Sequence, residues 1–378
     1  MAKITEVTRT SWGQRLLNSV VGVLFGFGLF FCSFGLIWYN EGRPNMADVA
    51  ADSVAITTAS VDNSTDGQMV AATGVLQAAE PIGDPLGLRP GAYLALNREV
   101  QMYAWVEESK SNTETNTGGS QTTTTEYTYE KEWVFSPADS DNFKEPRGHS
   151  NPSSMPYEQA EFLSTAAQIG AYGLDLKQLA LPSAETVALN SANVVDDTRL
   201  VIAGDYLFEG SGSLNSPEVG DVRIRYTAVP SGINATVFGQ QEGGRIVPYW
   251  HKGDNILYQV HEGSRADGLA AIESAYRASL WGLRIGSFFA MWMGLMLIVG
   301  PVTTFLDVLP ILGRLGRGMI GVIAFGVAFV FWFVATLLSA LLQSIWGLIL
   351  AFVIVAGLAY FFIQRQKKGE GKLAGSEL

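Results

Sequence analysis

Three histidines, His149, His251 and His261, are the natural first candidates for chemistry in this chain, and no two of them stand at a ligand-like spacing. His149 lies in the polar run RGHSNPSS, residues 147–154, with Asn151 two positions on, so this loop could hold a small ligand. The competing reading is a plain turn, because Gly148, Asn151 and Pro152 are turn formers. Glu130 and Glu132 alternate along a strand-like segment and would share a face. With partners from elsewhere they could bind a hard cation, though a solvated edge explains them better. No H-E-x-x-H, G-x-S-x-G or P-loop spacing occurs. The residues therefore predict no catalytic, cofactor or metal site, and the chain is expected not to be an enzyme. The candidate ligand or interaction loop is His149 and Asn151, with Glu130 and Glu132.

The elements that must position these groups are unusual for a soluble protein. The chain of 378 residues is 48% hydrophobic and 16% charged, well short of the roughly 25% charged residues of ordinary domains. Its apolar residues concentrate near residues 16–39 and beyond residue 278. Residues 41–277 carry 15 Lys+Arg against 32 Asp+Glu, a net of −17, and the rest of the chain carries 10 against 4. That acidity favours solubility and excludes nucleic acid as a partner, since phosphate recognition needs clustered Lys and Arg. A single cysteine, Cys32, rules out an intramolecular disulfide. The acidic middle must then be held by its own core.

Leu16 to Tyr39 is an uncharged run of 24 residues, long enough to cross a hydrocarbon layer of about 30 Å. Trp38 and Tyr39 close it as interfacial anchors, and the length favours an uncleaved signal anchor over a cleaved signal peptide. A second span is expected over residues 278–301, a third over 319–342 and a fourth over 345–363. Arg284 lies one turn inside the second span, where it either snorkels to the interface or pairs within the bundle. Gly22 with Gly26, and Gly282 with Gly286, form small-xxx-small pairs that permit close helix approach.

Basic residues set the orientation. Lys3, Arg9 and Arg15 precede the first span, Arg314 and Arg317 lie in the 302–318 loop, and Arg365, Lys367, Lys368 and Lys372 fill the 364–378 tail. Four spans put these three segments on one side. The reading is therefore a cytoplasmic amino terminus (1–15), a periplasmic or lumenal domain (40–277), a cytoplasmic or interfacial loop broken at Pro310, and a cytoplasmic tail.

The 40–277 domain reads as β-rich α+β. Strands are expected at Ser53–Thr58, Met69–Leu76, Ala92–Val106, Thr123–Phe135, Leu200–Phe208, Asp221–Val229 and Asn234–Gln240. Lys110–Thr125 reads as an exposed hairpin tip or flexible loop. Helices are expected over Tyr157–Ala171 and Arg265–Arg277, the second leading into a span.

Several longer motifs add a resemblance: NEGR (Asn40–Arg43), LNREVQMYAWVEE (Leu96–Glu108), YTYEKEW (Tyr127–Trp133), NFKEPRGHSNPSSMP (Asn142–Pro156), QIG (Gln168–Gly170), GDYLF (Gly204–Phe208), PEVGDVRIRY (Pro217–Tyr226) and WGLRIGSFFAMWMGLMLI (Trp281–Ile298). In this order they resemble the LUMA family, transmembrane protein 43, over nearly the whole chain. The resemblance implies four spans, one large exoplasmic domain, self-association and a role in organising membrane protein complexes. It brings no catalytic residues. Animal members sit in the endoplasmic reticulum and inner nuclear membrane and associate with emerin and lamins. Composition and the compact tail point to a bacterial member, in an inner membrane, where those named partners do not exist. The expected partners are the lipid bilayer, a second copy of the chain and other membrane proteins. The competing classes are a membrane-surface enzyme or ligand sensor, and a pore or transporter subunit. Spans with Arg284 as almost their only charge argue against the last.

Overall fold

The computed structural model describes residues 4–195, 199–308 and 310–343, together with Ile349 and Val353. The chain divides into two compact units. One holds most of residues 45–276 with the first seven residues, and the other holds the long helices with residues 113–123.

In the first unit, buried side chains recur every second residue, the period that commits a segment to one face of a sheet. Tyr93–Thr115 shows this, with Val100, Met102 and Ala104 all buried. It is the central strand of an eight-stranded sheet ordered Ile4–Thr10, Gln121–Val134, Tyr93–Thr115, Val222–Pro230, Tyr206–Glu209, Val201–Ala203. Ala160–Leu163 adds to the central strand and Glu185–Thr186 to Val222–Pro230. Its buried face packs Leu96, Val100, Met102, Leu207, Ile224 and Tyr226 into one cluster.

A second sheet closes on itself. Met69–Ala78 pairs with Ala167–Ile169, which pairs with Tyr172–Leu174. Tyr172–Leu174 runs parallel to Arg245–Val247, which returns against Ile233–Glu242, and that strand pairs with Met69–Ala78 to complete the ring. Closure removes the open edges that a flat sheet would leave. Val70, Leu76, Ile169, Tyr172, Val237 and Ile246 fill the interior. In chain order the ring reads 1-2-3-5-4 with strands 3 and 5 parallel, the strand order of an OB-type barrel.

One expectation is corrected here and another is decided. Tyr157–Ala171 is not a helix: it contains the strands Ala160–Leu163 and Ala167–Ile169. Phe162, Ala166 and Ile169 imitate a helical stripe, but the buried pair is Ala167 and Ile169, two apart, and Gly170 turns the chain at φ +55°. Of the two readings of Lys110–Thr125, the structure has the exposed hairpin tip and not the flexible loop. Its strands run to Thr115 and from Gln121, and Ser111 and Thr113 bond across to Thr125 and Thr123 at 2.8 and 2.9 Å. Cross-strand Ser and Thr pairs of this kind stabilise a hairpin that lacks an apolar face.

The helices follow the apolar runs. Helix α1 (Trp12–Gly42) is capped by Ser11, whose hydroxyl accepts from the Gln14 amide. A short α2 (Met46–Ala51) buries Ala47 and Ala50. Helix α3 (Arg265–Ile298) joins the expected 265–277 helix and the second span without a break, and Ser264 and Asp267 cap it reciprocally. Helix α4 (Gly300–Leu306) ends before Pro310, which opens α5 (Pro310–Leu342). Thus α1, α3 and α5 are long and apolar enough to cross a membrane. Of the expected fourth span, 345–363, only Ile349 and Val353 are among the described residues, and the basic tail lies outside them.

Candidate functional site

The return strand Gln121–Val134 carries Tyr129 and Lys131 on one face and Glu130 and Glu132 on the other. His149 belongs to the first face. Its ring stacks on Tyr129 with centroids 3.9 Å apart and meets Trp105 edge-on at 4.7 Å. Lys131 lies over the same Trp105 ring at 4.8 Å. The Tyr129 hydroxyl donates to Glu107 at 2.6 Å and accepts from the Glu145 amide. Burial, followed by that Glu107 bond, raises the Tyr129 phenol above its usual range. Glu130 and Glu132 are exposed on the opposite face, so the histidine loop and the acidic pair are not brought together.

Asn151 has a specific task. The strand Val222–Pro230 pairs with the long strand as far as Met102. Beyond that point the Trp105 amide donates to Asn151 Oδ1 at 2.7 Å, and Asn151 Nδ2 donates to the Trp105 carbonyl at 2.9 Å and to the Ala138 carbonyl at 3.1 Å. The side-chain amide thus replaces a neighbouring strand. Gln159 does the same for Val100, at 2.9 and 2.7 Å. Both loop residues singled out from sequence, His149 and Asn151, are engaged in holding this loop on the long strand. Asn151→Ala should cost about 2 kcal/mol by stranding the Trp105 peptide groups. Thermal unfolding and faster hydrogen exchange at the Trp105 amide would report it, and an unchanged amide would refute the strand-replacement role.

The other two histidines stand apart. His261 approaches Gln259 at 3.2 Å, and burial lowers its pKa below that of a free imidazole. His251 ends the small hairpin strand Tyr249–His251. Among the described residues no group of three or more His, Cys, Asp or Glu is placed to hold a metal ion.

In the helical unit the polar groups sit at the helix ends. Arg284 does not snorkel alone. Its guanidinium binds both oxygens of Glu41, at 2.8 and 2.7 Å, and lies over the Trp281 ring. Its carbonyl accepts from Trp332 on α5 at 2.8 Å. Asn40 donates to the Leu280 carbonyl, and Gln343 donates to the Trp38 carbonyl. One polar cluster therefore ties α1, α3 and α5 together. Toward the other end Arg15 pairs with Asp307 at 2.5 Å, and Trp12 donates to the Thr304 carbonyl. Between these ends Gly26 meets the Gly294 carbonyl: a methyl on Gly26 would lie 2.8 Å from that oxygen. Gly22 has ordinary contact with Leu297, whereas Gly282 and Gly286 face open space. Sequence reading missed Glu41, Gly294 and Asp307. Glu41 carried a signal, as an acid at the mouth of one span matching Arg284 at the mouth of another.

The comparisons with known proteins cover this architecture. A sequence profile described as Transmembrane protein 43 matches residues 102–346. The chain is 30% identical over 335 residues to Transmembrane protein 43 of Homo sapiens, which spans 82% of this chain and 81% of the human protein. The chain belongs to the transmembrane protein 43 family. The rat member is 29% identical over 338 residues, and the Drosophila melanogaster homolog is 30% identical over 264 residues, 66% of each chain. No solved structure matches the chain. The profile of the family takes in Asn151, Gln159, Arg284, Gly294 and Trp332, whereas their α1 partners Gly26 and Glu41 precede it.

Proposed function

We propose that this family member is a non-catalytic scaffold that organises membrane protein complexes through its large domain and through self-association. The observation that carries the reading is the use made of the candidate groups. His149 and Asn151 brace the long strand, and Glu130 and Glu132 face solvent behind it. Their polar atoms serve the fold, not a bound substrate. Self-association draws on α3, where Trp281, Ile285, Phe289 and Met293 form an exposed stripe beside Gly282 and Gly286. Small residues flanked by bulky ones let a second helix approach closely.

The orientation in this reading follows the basic residues. The first turns of α5, with Arg314 and Arg317, and the tail with Arg365, Lys367, Lys368 and Lys372 lie toward the cytoplasm, and the acidic domain lies on the exoplasmic side. Helix α1 acts as the signal anchor, and a fourth span over 345–363 completes a multi-pass arrangement in a bacterial inner membrane. Cross-linking in native membranes, followed by affinity purification and mass spectrometry, tests the role. The expected result is capture of the chain itself, of specific membrane partners, or both. Recovery of monomer alone, with no partner, would sink the scaffold reading. Gly282→Leu and Gly286→Leu should leave the monomer's thermal stability within about 0.5 kcal/mol while reducing self-capture.

A further inference from the structure

We infer that the small hairpin Tyr249–Leu257 rests on the bilayer surface, with Trp250 and Ile256 in the lipid interface. The hairpin has two unlike faces. Its strands pair Trp250 with Ile256 and Tyr249 with Leu257, and alternation puts these two pairs on opposite sides. The inner pair is packed: Leu257 is buried, and Tyr249 is half-buried against a cluster with Ala47, Ala50, Phe238 and Ile272. The outer pair is bare, with Trp250 59% and Ile256 45% exposed. Directly opposed residues have Cβ atoms about 5 Å apart, so these two side chains make one apolar patch. The turn beside them, Lys252, Gly253 and Asp254, is polar and exposed.

The covalent chain keeps this patch near the membrane. The cluster under the hairpin is built from the segments that leave α1 and lead into the membrane part of α3. Met46 and Val49 of α2 pack against it, and α2 begins at Met46, just past the end of α1 at Gly42. Ile272 belongs to the cluster and to α3, which runs unbroken into its apolar part from residue 278. At 1.5 Å per residue Ile272 stands no more than about 9 Å from that apolar run, whatever the tilt of the helix. The headgroup layer itself is roughly 5–8 Å deep on each side. The two segments are also clamped together: Asn45 donates to Glu273 at 3.0 Å, and Arg265 donates to the Ala51 and Ser53 carbonyls at 2.6 and 3.1 Å. The chemistry suits lipid. An indole sits at the level of the headgroups, with an aliphatic neighbour reaching the acyl boundary. Lys252, at the exposed turn with φ +34°, supplies an ammonium for lipid phosphate. A protein partner fits less well, since two side chains fall far short of the roughly 800 Å² that each member of a stable complex covers.

Fluorescence quenching tests this in the full-length chain. In a Cys32→Ala background, Ile256→Cys or Trp250→Cys carries a nitrobenzoxadiazole fluorophore; both positions are exposed, so the label displaces no core. The protein is reconstituted in vesicles of phosphatidylcholine and phosphatidylglycerol. One sample contains lipids with a nitroxide on an acyl carbon near the headgroup, and another contains iodide on both sides of the membrane. The expected result at both positions is that the nitroxide lipid roughly halves the emission while iodide changes it little, as for a group seated in the interface. Trp250→Glu should reverse that ranking for the label at Ile256→Cys. Strong quenching by iodide with none by the nitroxide lipid, in protein that keeps its native thermal unfolding, overturns the inference. Protection from both quenchers also overturns it, because the patch is then covered by protein. Both leaflets carry the nitroxide and both compartments the iodide, so the outcome is independent of the scaffold role and of the side on which the domain resides.

Discussion

Leucine in place of Gly26 should unseat α1 from α3. A Cβ at this position would stand 2.8 Å from the Gly294 carbonyl oxygen, 2.9 Å from the Ile298 amide nitrogen and 2.9 Å from the Leu297 Cβ. Two of these neighbours are backbone, which cannot rotate away as a side-chain tip can. The approach is reciprocal, since a Cβ on Gly294 would meet the Gly26 carbonyl at 2.8 Å and the Phe30 amide at 2.8 Å. Helices in lipid gain little from apolar burial and depend on this closeness for their contact energy. Separating them also pulls on the Glu41–Arg284 pair and on the packing of Ile37 against Met291. The expected loss is about 3 kcal/mol, the upper end of overpacking effects. Thermal unfolding in detergent would show a large drop for Gly26→Leu beside near-native values for Gly282→Leu and Gly286→Leu. Equal behaviour of the three would refute the crossing.

The second large effect belongs to Asp84. It is 2% exposed and faces two partners inside the first unit. Arg98 binds both of its carboxylate oxygens, at 2.9 and 2.8 Å, and Tyr226, wholly buried, donates to it at 2.7 Å. Burial and then the Asp84 bond push the Tyr226 phenol above its ordinary range, so the phenol stays a donor. Asp84→Ala leaves the Arg98 cation shielded from water without its counter-ion, a change that typically costs about 3–5 kcal/mol. For a domain of this size that is a fall in Tm on the order of 10 °C. Asp84→Asn should fall between, because it can still accept from Tyr226 while losing the charge. A single substitution at the exposed Arg225–Glu99 pair on the same sheet should cost far less, about 0.5 kcal/mol. Comparable losses at the two pairs would refute the buried role of Asp84.

Much of the architecture was readable because it is local. Uncharged runs fixed α1, the membrane part of α3 and the apolar part of α5, since length and composition alone decide whether a helix can span. Alternation fixed Met69–Ala78, Tyr93–Thr115, Val222–Pro230 and Ile233–Glu242 to within a few residues at most ends. The failures share a cause. Ile4–Thr10 is polar on both sides and becomes a strand only because the return strand offers it an edge. Leu200–Phe208 reads as one strand but is a hairpin broken at Gly204, whose φ is +61°. Asn151 reads as a turn former, and the loop does turn at Gly148. Its decisive bonds, though, go to a strand 46 residues earlier. The same holds for the helix ends: Arg284 was legible as a charge out of place, but Glu41, 243 positions away, is its answer only in three dimensions.

The closed barrel sets a timetable for biogenesis. Its last seam joins Met69–Ala78 to Ile233–Glu242 through eight register pairs, and its shortest staves, Tyr172–Leu174 and Arg245–Val247, also pair across more than seventy residues. Contacts of such separation form slowly, because the intervening chain must be gathered first. During synthesis the strand Met69–Ala78 has no neighbour with which to complete the ring until residue 242 has been made. By then α3 is only about twenty residues behind. The barrel therefore cannot close until shortly before α3 is made, and the apolar faces of its early strands stay uncovered until then.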